Sequence, residues 1–220
     1  MRTVPLLLVT LLTTSACGST AGERTAAPIT DPISDPTPAS TTGAPTSSTS
    51  PEPSDAAESW TLADFTDPSS VADWYVQNDT VMGGVSSSEL SWNDGDLLFS
   101  GNLSTDNNGG FTSMRGPVVP FIPASGLTAI SVVAQGDGRT YLMQIRTDTD
   151  SYIQRFTPVE TMSETLLALT DFTATDWRLS PIPDRPPLVS EAVRQVAVYL
   201  VDKQVGEFVL RLRSISMVAD

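Results

Sequence analysis

The sequence contains no histidine and a single cysteine, Cys17, among its 220 residues. Without histidine, Ser-His-Asp and Cys-His catalytic arrangements and His-based zinc sites are excluded. With one cysteine, an internal disulfide is excluded as well. Paired carboxylates can hydrolyse glycosides, but nothing in the sequence selects one pair among the many Asp and Glu residues. We therefore expect a protein that is not an enzyme.

Basic residues are also scarce, since 12 Lys and Arg stand against 26 Asp and Glu and give a net charge of −14. Nucleic-acid phosphates are bound by clustered Lys and Arg, so nucleic acid is not expected as a partner. The chain has no GxGxxG after a strand and no Walker-type loop, so nucleotide binding has no support either. Such a charge balance is typical of an acidic, solvated surface on an exported protein.

The N-terminal apolar run VPLLLVTLL (4–12) is too short for a membrane-spanning helix. It follows Met1 and Arg2 and precedes small polar residues, which is the layout of a secretory signal. Its end, TSAC, resembles a bacterial lipobox, although Thr14 stands where leucine is usual. We expect residues 1–17 to be a lipoprotein signal and Cys17 to carry lipid, which anchors the exported chain on the extracytoplasmic face of the bacterial cell membrane. A cleaved signal without lipid is the alternative.

Residues 18–58 consist of Thr, Ser, Pro, Ala and Asp with almost no large apolar side chain. Such a segment cannot bury enough surface to offset the entropy of ordering it. The sequence therefore predicts a disordered tether between the lipid anchor and a domain that spans residues 59–220.

From Ser59 onward the apolar residues alternate with polar ones, which indicates strands. GDGRTYLMQIRT, RQVAVYLV and GEFVLRLRSISM show the pattern over the longest stretches. Shorter runs (ELSW, DLLFSG, GFTSM, TAISVVA, YIQRF and TLLAL) are bounded by turn residues, and only SEAVRQVAV offers a short helix. Many short strands spaced about ten residues apart predict an all-β domain, an antiparallel β-sandwich or jelly roll.

Two blocks with Gly-Gly pairs, DWYVQNDTVMGGVSSS and LLFSGNLSTDNNGGFTSMRG, carry a family resemblance. Together with GDGRTYLMQIRT, DRPPL and DKQVGEFVLRLRSISM, which follow in the same order, they make the chain similar to the complex I intermediate-associated protein 30 (CIA30) family. One departure is DFTATDWRLSP (171–181), where family members often carry an Arg-Gly pair.

The resemblance implies a galactose-binding-like jelly roll, a fold that carbohydrate-binding modules also use. It also implies a link to complex I assembly, which takes place on the other side of the membrane from an exported lipoprotein. The family name is therefore not transferred as a function.

The glycine blocks form the first candidate site: Asp79, Gly83, Gly84, Asn107, Asn108, Gly109, Gly110 and Arg115. Glycine supplies positive φ in turns, so the pairs are interpreted as tight turns between strands or as a rim where a partner approaches the backbone. Asp79 and Arg115 are expected to form an ion pair that joins the two loops.

Oxygen ligands at two turns, TDNNGG (105–110) and DTDS (148–151), are compatible with a structural calcium ion. Neither spacing matches a strict calcium loop, so ordinary polar turns are expected and calcium is the alternative. No cofactor is expected.

Aromatic side chains can stack on sugar rings where they line an open face. The candidates are Trp92 and Trp177, with Tyr141 and Tyr152 considered beside them, whereas Trp74 is expected in the core. Two functions follow: a membrane-tethered binding domain that holds or helps assemble an envelope protein complex, with an envelope protein as partner, or alternatively a carbohydrate-binding module for cell-envelope glycans.

Overall fold

The computed structural model describes residues 59–119, 122 and 126–219. Within them, twelve strands form two antiparallel sheets of six strands each. The first sheet contains β1 (Ser59–Asp64), β3 (Ser87–Asn93), β4 (Asp96–Leu103), β6 (Ala129–Gln135), β9 (Ser163–Ala168) and β12 (Gly206–Val218). The second sheet contains β2 (Tyr75–Asn78), β5 (Thr112–Arg115), β7 (Tyr141–Arg146), β8 (Ser151–Phe156), β10 (Thr173–Thr175) and β11 (Gln195–Leu200).

The long strand β12 organises the first sheet, whose order is β3-β4-β12-β6-β9. Its first half pairs with β4, and its second half pairs with β1 on one side and β6 on the other. Its inward residues are Phe208, Leu210 and Leu212, followed by Ile215 and Met217. The phase of this alternation changes where the register shifts between Leu212 and Ser214, because a bulge adds one residue to the strand.

The second sheet has the order β10-β8-β7-β11-β5-β2. Its inner face contributes Met143 and Ile145 from β7 and Val198 and Leu200 from β11, which pack in one apolar core with the inner face of the first sheet. Edge-to-face contacts add to this core, as between Phe99 and Phe208, whose ring centroids are 4.9 Å apart. The two sheets therefore enclose the core between them, as in a jelly-roll sandwich.

The strand predictions agree with the structure. All nine runs that the sequence marks as strands lie on β3 to β9, β11 and β12. The alternation missed β1, β2 and β10, which are short or broken in pattern. The short helix expected in SEAVRQVAV is a 3₁₀ turn, Ser190–Ala192. The signal, Cys17 and the tether lie outside the described residues.

Within the part of the chain that the structure describes, the helical segments of the connections are short 3₁₀ turns, among them Asp79–Met82 and Asp106–Asn108 in the two glycine blocks. Among the described residues, no helix has the length and apolar character needed to cross a membrane.

Candidate functional site

The outer face of the second sheet, which points away from the core, is not a simple polar surface. Residues paired across a sheet point to the same face. The pairings therefore place Tyr75, Arg115, Ala197 and Gln144 in one row on this face. A neighbouring row contains Gln77, Ser113, Tyr199 and Leu142.

A second apolar cluster forms the floor of this face. It consists of Leu142, Ile153, Ala197, Tyr199 and Val201, against which Phe111 and Leu179 pack. The rings of Phe111 and Tyr199 lie 6.4 Å apart between centroids. An apolar floor on the outside of a sheet marks a surface for a partner or ligand when nothing covers it completely.

One wall of this face is the loop from Asp176 to Ser180. The Asp176 carboxylate accepts hydrogen bonds from the backbone N–H groups of Arg178 at 2.9 Å and Ser180 at 2.8 Å, which closes the turn. Leu179 has a φ of 63° and packs on the apolar cluster. Trp177, at 77% relative exposure, projects into solvent with the Arg178 guanidinium 4.5 Å from its ring centroid. Trp177 is therefore exposed, as a candidate for stacking on a ligand must be.

A chain of hydrogen bonds crosses the floor. The Arg115 guanidinium donates to the Tyr199 hydroxyl at 2.7 Å, and that hydroxyl donates to Gln144 Oε1 at 3.1 Å. Burial raises the pKa of the Tyr199 hydroxyl, and the positive charges of Arg115 and Arg146 counteract part of this rise. Tyr199 is therefore a neutral phenol near pH 7 that holds Arg115 in place.

These groups enclose a cleft of about 370 Å³ on the outer face. Trp177 lines one wall of this cleft, and the turn with Val81 and Met82 forms the other wall. Val81 and Met82 are 67% and 59% exposed. We call this space the outer-face cleft. It is lined by Gln77, Val81, Met82, Phe111, Arg115, Gln144, Trp177, Arg178, Leu179, Tyr199 and Val201.

Asp79 supports the turn with Val81 and Met82, although it is fully buried below it. Its carboxylate accepts hydrogen bonds from the Ser86 hydroxyl at 2.6 Å, the Ser86 N–H at 3.0 Å, the Gly110 N–H at 2.7 Å and the Phe111 N–H at 3.3 Å. Burial acts to raise the pKa of this carboxyl, but the hydrogen bonds outweigh it and hold the pKa below the ordinary value of 3.8. One carboxylate thus joins the two glycine blocks.

The two Gly-Gly pairs have the same structural relationship to Asp79. In each pair one glycine has a left-handed backbone, Gly83 with φ 89° and Gly110 with φ 135°. The other glycine, Gly84 or Gly109, has its Cα against the Asp79 carboxylate, and a Cβ on either one would overlap that group. The interpretation of the pairs as tight turns agrees with this geometry, and the close packing against Asp79 is an additional reason for glycine.

The expected ion pair between Asp79 and Arg115 is wrong. Asp79 donates its backbone N–H to Phe111 O at 3.2 Å, so it lies beside the start of β5. Arg115 lies four residues further along this strand, or about 13 Å away at the rise of an extended chain. It also points to the outer face, where Tyr199 and Ser113 are its partners. The candidate corner is therefore two separate features, a buried Asp79 corner and a half-buried Arg115 on the outer face.

The structure also separates the aromatic candidates. Trp92 is on β3, the edge strand of the first sheet, where its Nε1 donates to Phe65 O at 2.8 Å and 39% of its surface is exposed. It is not part of the outer-face cleft. Tyr141 and Tyr152 are buried in the core and cannot stack on a ligand, and Trp74 is buried as expected.

The sequence reasoning missed Tyr75, Phe111, Gln144 and Tyr199. Their signal was present in part, since Tyr199 alternates with the core residues Val198 and Leu200 in RQVAVYLV. A large aromatic on the outward positions of a central strand indicates a face that is covered or that binds something.

The first sheet carries a larger cleft of about 610 Å³ across β3, β4 and β12. Serines, Asn102 and the acidic residues Glu89, Asp137 and Glu207 line most of it, and its one aromatic residue, Phe208, is buried. Size alone does not define a site, because recognition needs an apolar surface with a few placed polar groups. The smaller outer-face cleft meets this condition and the larger one does not.

The first turn considered for calcium, residues 105–110, is shaped by its own backbone. Asn107 and Asn108 have φ values of 55° and 61°, and the Gly109 N–H donates to Asp106 O at 2.9 Å. In the second turn, Asp148 pairs with Arg194 at 3.1 Å and Asp150 with Arg185 at 3.2 Å. Within residues 59–219 as described, no three His, Cys, Asp or Glu side chains form a metal-binding group. Calcium binding stays an untested alternative to ordinary polar turns.

The two antiparallel sheets define a jelly-roll β-sandwich domain. The family model described as complex I intermediate-associated protein 30 (CIA30) matches residues 63–212. The chain belongs to the CIA30 family. No curated protein matches the sequence at a significant level.

The fold is also similar to solved carbohydrate-binding modules. One is a family 11 carbohydrate-binding module from Clostridium thermocellum, solved in complex with a β-1,3-1,4-mixed-linked tetrasaccharide. It is 14% identical to this chain with a TM-score of 0.54, and the match covers 73% of this chain and 95% of the module. Another is the family 11 module of the cellulosomal cellulase Lic26A-Cel5E from Clostridium thermocellum. It is 15% identical to this chain with a TM-score of 0.52, and the match covers 75% of this chain and 96% of the module. At such identity these neighbours establish the shared fold.

Proposed function

We propose that the domain binds a glycan in the outer-face cleft and performs no chemistry on it. The observation that carries this proposal is the pairing of an exposed ring, Trp177, with a floor of Phe111 and Tyr199 and with planar polar groups on Arg115 and Gln144. Aromatic rings stack on the apolar faces of sugars, while planar amide and guanidinium groups bind their hydroxyls. The structural neighbours of the same fold are carbohydrate-binding modules, which supports the proposal that this domain binds a glycan.

The absence of catalysis is part of the proposal. Glycoside hydrolysis needs two carboxyl groups about 5 to 9 Å apart across the scissile bond. The residues that line the outer-face cleft include no aspartate or glutamate. The cleft therefore offers contacts for binding but no acid or base for cleavage.

The experiment is a titration of the full-length protein with a panel of soluble glycans, mixed-linked β-glucan included, followed by tryptophan fluorescence and calorimetry. We expect saturable binding to at least one glycan, and a Trp177→Ala variant that binds at least about tenfold more weakly, as expected for the loss of a stacked ring. The matched control is Trp92→Phe, which changes a tryptophan on the other sheet and keeps affinity. No binding to any glycan at several millimolar overturns the proposal.

A second candidate function is to hold or help assemble a protein complex of the cell envelope, with the domain tethered through lipid on Cys17. The observation that favours it is the exposure of Val81 and Met82, adjacent apolar residues at the tip of a well-supported turn. In-cell crosslinking with mass spectrometry tests this candidate. A reproducible protein partner that is lost in a Val81→Ser, Met82→Ser double variant supports it, and recovery of no reproducible partner removes it. Labelling with a fatty-acid analogue, compared between wild type and Cys17→Ala, tests the anchor.

A further inference from the structure

The arginines of the described residues fall into two groups. Six of them form ion pairs with aspartates, namely Arg139, Arg155, Arg185, Arg194, Arg211 and Arg213. For the other three, Arg115, Arg146 and Arg178, no Asp or Glu side chain among the described residues lies within ion-pair distance. These three lie together on one side of the domain, at the outer face of the second sheet.

The positions of the three follow from the strand register and the loop. Arg115 on β5 and Arg146 on β7 both point outward from the sheet, and Arg178 is in the loop that walls the cleft. Arg115 and Arg178 line the outer-face cleft, whose other lining residues are all uncharged. The chain as a whole has a net charge of −14. The cleft is therefore a cationic site on an acidic protein.

The side chains are arranged for ligand contact rather than for internal pairing. Arg115 uses one terminal nitrogen on the Tyr199 hydroxyl, at 2.7 Å, and its Nε lies 3.5 Å from the Ser113 hydroxyl. Its other terminal nitrogen has no partner among the described residues. The guanidinium of Arg178 stacks on Trp177 and leaves its edge to solvent. A guanidinium edge matches two oxygens of a carboxylate or sulfate group, and such charge-assisted hydrogen bonds are stronger than neutral ones.

The positive charge on this face also acts on the Tyr199 hydroxyl. The positive charges of Arg115 and Arg146 act to lower the pKa of the Tyr199 hydroxyl, which burial raises. An anion in the cleft would compensate the charge of Arg115, which has no carboxylate of the described residues within ion-pair distance.

We propose that the glycan bound by the outer-face cleft is anionic, with carboxylate or sulfate groups on its sugar rings, and that Arg115 and Arg178 bind these groups while Trp177 stacks on a ring. This inference rests on the proposed function and adds the chemical class of the ligand. Carboxylate and sulfate groups both present negatively charged oxygens to the arginines, and the experiment separates them.

The test uses pairs of polymers that share a sugar backbone and differ in charge. Uronate polymers (polygalacturonate, alginate and hyaluronate) are each compared with their methyl esters, κ-carrageenan is compared with its desulfated form, and mixed-linked β-glucan is the neutral reference. The full-length protein is titrated at one fixed salt concentration. We expect at least one charged polymer to bind at least about tenfold more tightly than its neutral counterpart, since a charge-assisted contact is worth that ratio or more. Preference for a uronate or for carrageenan identifies the source of the charge.

Three variants test which arginines produce the preference for charged polymers. Arg115→Gln and Arg178→Gln are each expected to abolish most of the preference, and Arg178 lies in an exposed loop where the change does not endanger folding. Arg155→Gln is the control, because Arg155 lies on the same face of the sheet but is paired with Asp202. It should keep the preference.

The outcomes are distinguishable. Equal binding of the charged and neutral polymers, or binding of neutral glucan alone, overturns this inference and leaves the proposed function standing. A preference that survives in both Arg115→Gln and Arg178→Gln overturns the assignment of the two arginines. No binding to any polymer overturns the proposed function together with the inference.

Discussion

Ser86 binds the Asp79 carboxylate at both oxygens: its hydroxyl donates to Oδ2 at 2.6 Å and its backbone N–H donates to Oδ1 at 3.0 Å. The same Ser86 hydroxyl contacts Ser104 O at 3.1 Å. The buried charge therefore has partners on both sides of the corner, and the turn beside the outer-face cleft depends on it.

We expect Asp79→Asn to destabilise the protein by about 3 kcal/mol, since all four of the carboxylate's partners are donors and an amide NH₂ would face at least one of them. For a domain of this size the melting temperature should fall by roughly 6 to 12 °C. Urea denaturation and thermal unfolding measure the change, and Asp106→Asn at an exposed position is the control. A loss below about 0.5 kcal/mol would show that the corner does not need the charge.

The stabilisation from Asp79 should depend on pH. Its pKa is lowered on folding, so the contribution is fully present above the unfolded value near 3.8 and is lost as the pH falls through the lower folded pKa. The difference in unfolding free energy between wild type and Asp79→Asn should therefore be constant from about pH 5 to 7 and shrink toward pH 2. Other carboxyl groups titrate equally in both proteins and cancel. A difference that stays the same at low pH contradicts the assignment.

The two kinds of glycine should respond differently to alanine. Gly84→Ala places a Cβ on the Asp79 carboxylate and should cost about 3 kcal/mol, as overpacking does. Gly83→Ala meets no atom within 4 Å and should cost only the left-handed backbone strain, about 1 to 2 kcal/mol. Combining Gly84→Ala with Asp79→Ala should be less damaging than the sum of the two changes. Strict additivity in this pair would show that the contact does not exist.

Arg115→Ala should have little effect on stability, at most about 1 kcal/mol, because its partners are a phenol and a serine on a half-buried face. A double-mutant cycle with Asp79→Asn should give a coupling energy below about 0.5 kcal/mol, as for residues without shared partners. A coupling of 2 kcal/mol would restore the ion pair that the sequence suggested.

Tyr199→Phe removes the hydroxyl that links Arg115 to Gln144. We expect a loss of about 1 to 2 kcal/mol in unfolding free energy, since the buried Gln144 amide and the half-buried Arg115 guanidinium each lose a partner. Affinity for the bound glycan should fall as well, because Arg115 is no longer held in position. Tyr75→Phe, on the same face but half exposed, is the control and should keep its stability. Unchanged stability and affinity in Tyr199→Phe would show that these hydrogen bonds neither stabilise the domain nor position Arg115 for binding.

The strands were predictable because each central strand alternates between the core and the outside, as in Phe208, Leu210 and Leu212 on β12. The glycine blocks were predictable as a corner for a similar reason, since turn residues are local signals. The partner of Asp79 was not, because a carboxylate bound by backbone N–H groups leaves no complementary charge in the sequence to find.

The outer-face cleft was harder still to predict. Its members come from five segments, and Trp177 lines one cleft with Tyr199 and Phe111 only because the fold sets the strand order β7-β11-β5. Of the cleft residues, the sequence analysis named Trp177 as a candidate for stacking and Arg115 as an expected partner of Asp79. Which strands become neighbours is a property of the whole fold, and single-strand periodicity carries no information about it.

The pairing of β1 with the last half of β12 has a practical consequence. Ser59 is opposite Val218, so the first and last strands of the domain meet at one point of the first sheet. A short peptide joining these two positions, with new ends opened at the Asp94 and Gly95 hairpin between β3 and β4, should give a circular permutant with the same fold. In such a permutant the outer-face cleft, which lies on the opposite sheet, would be left intact and free for display.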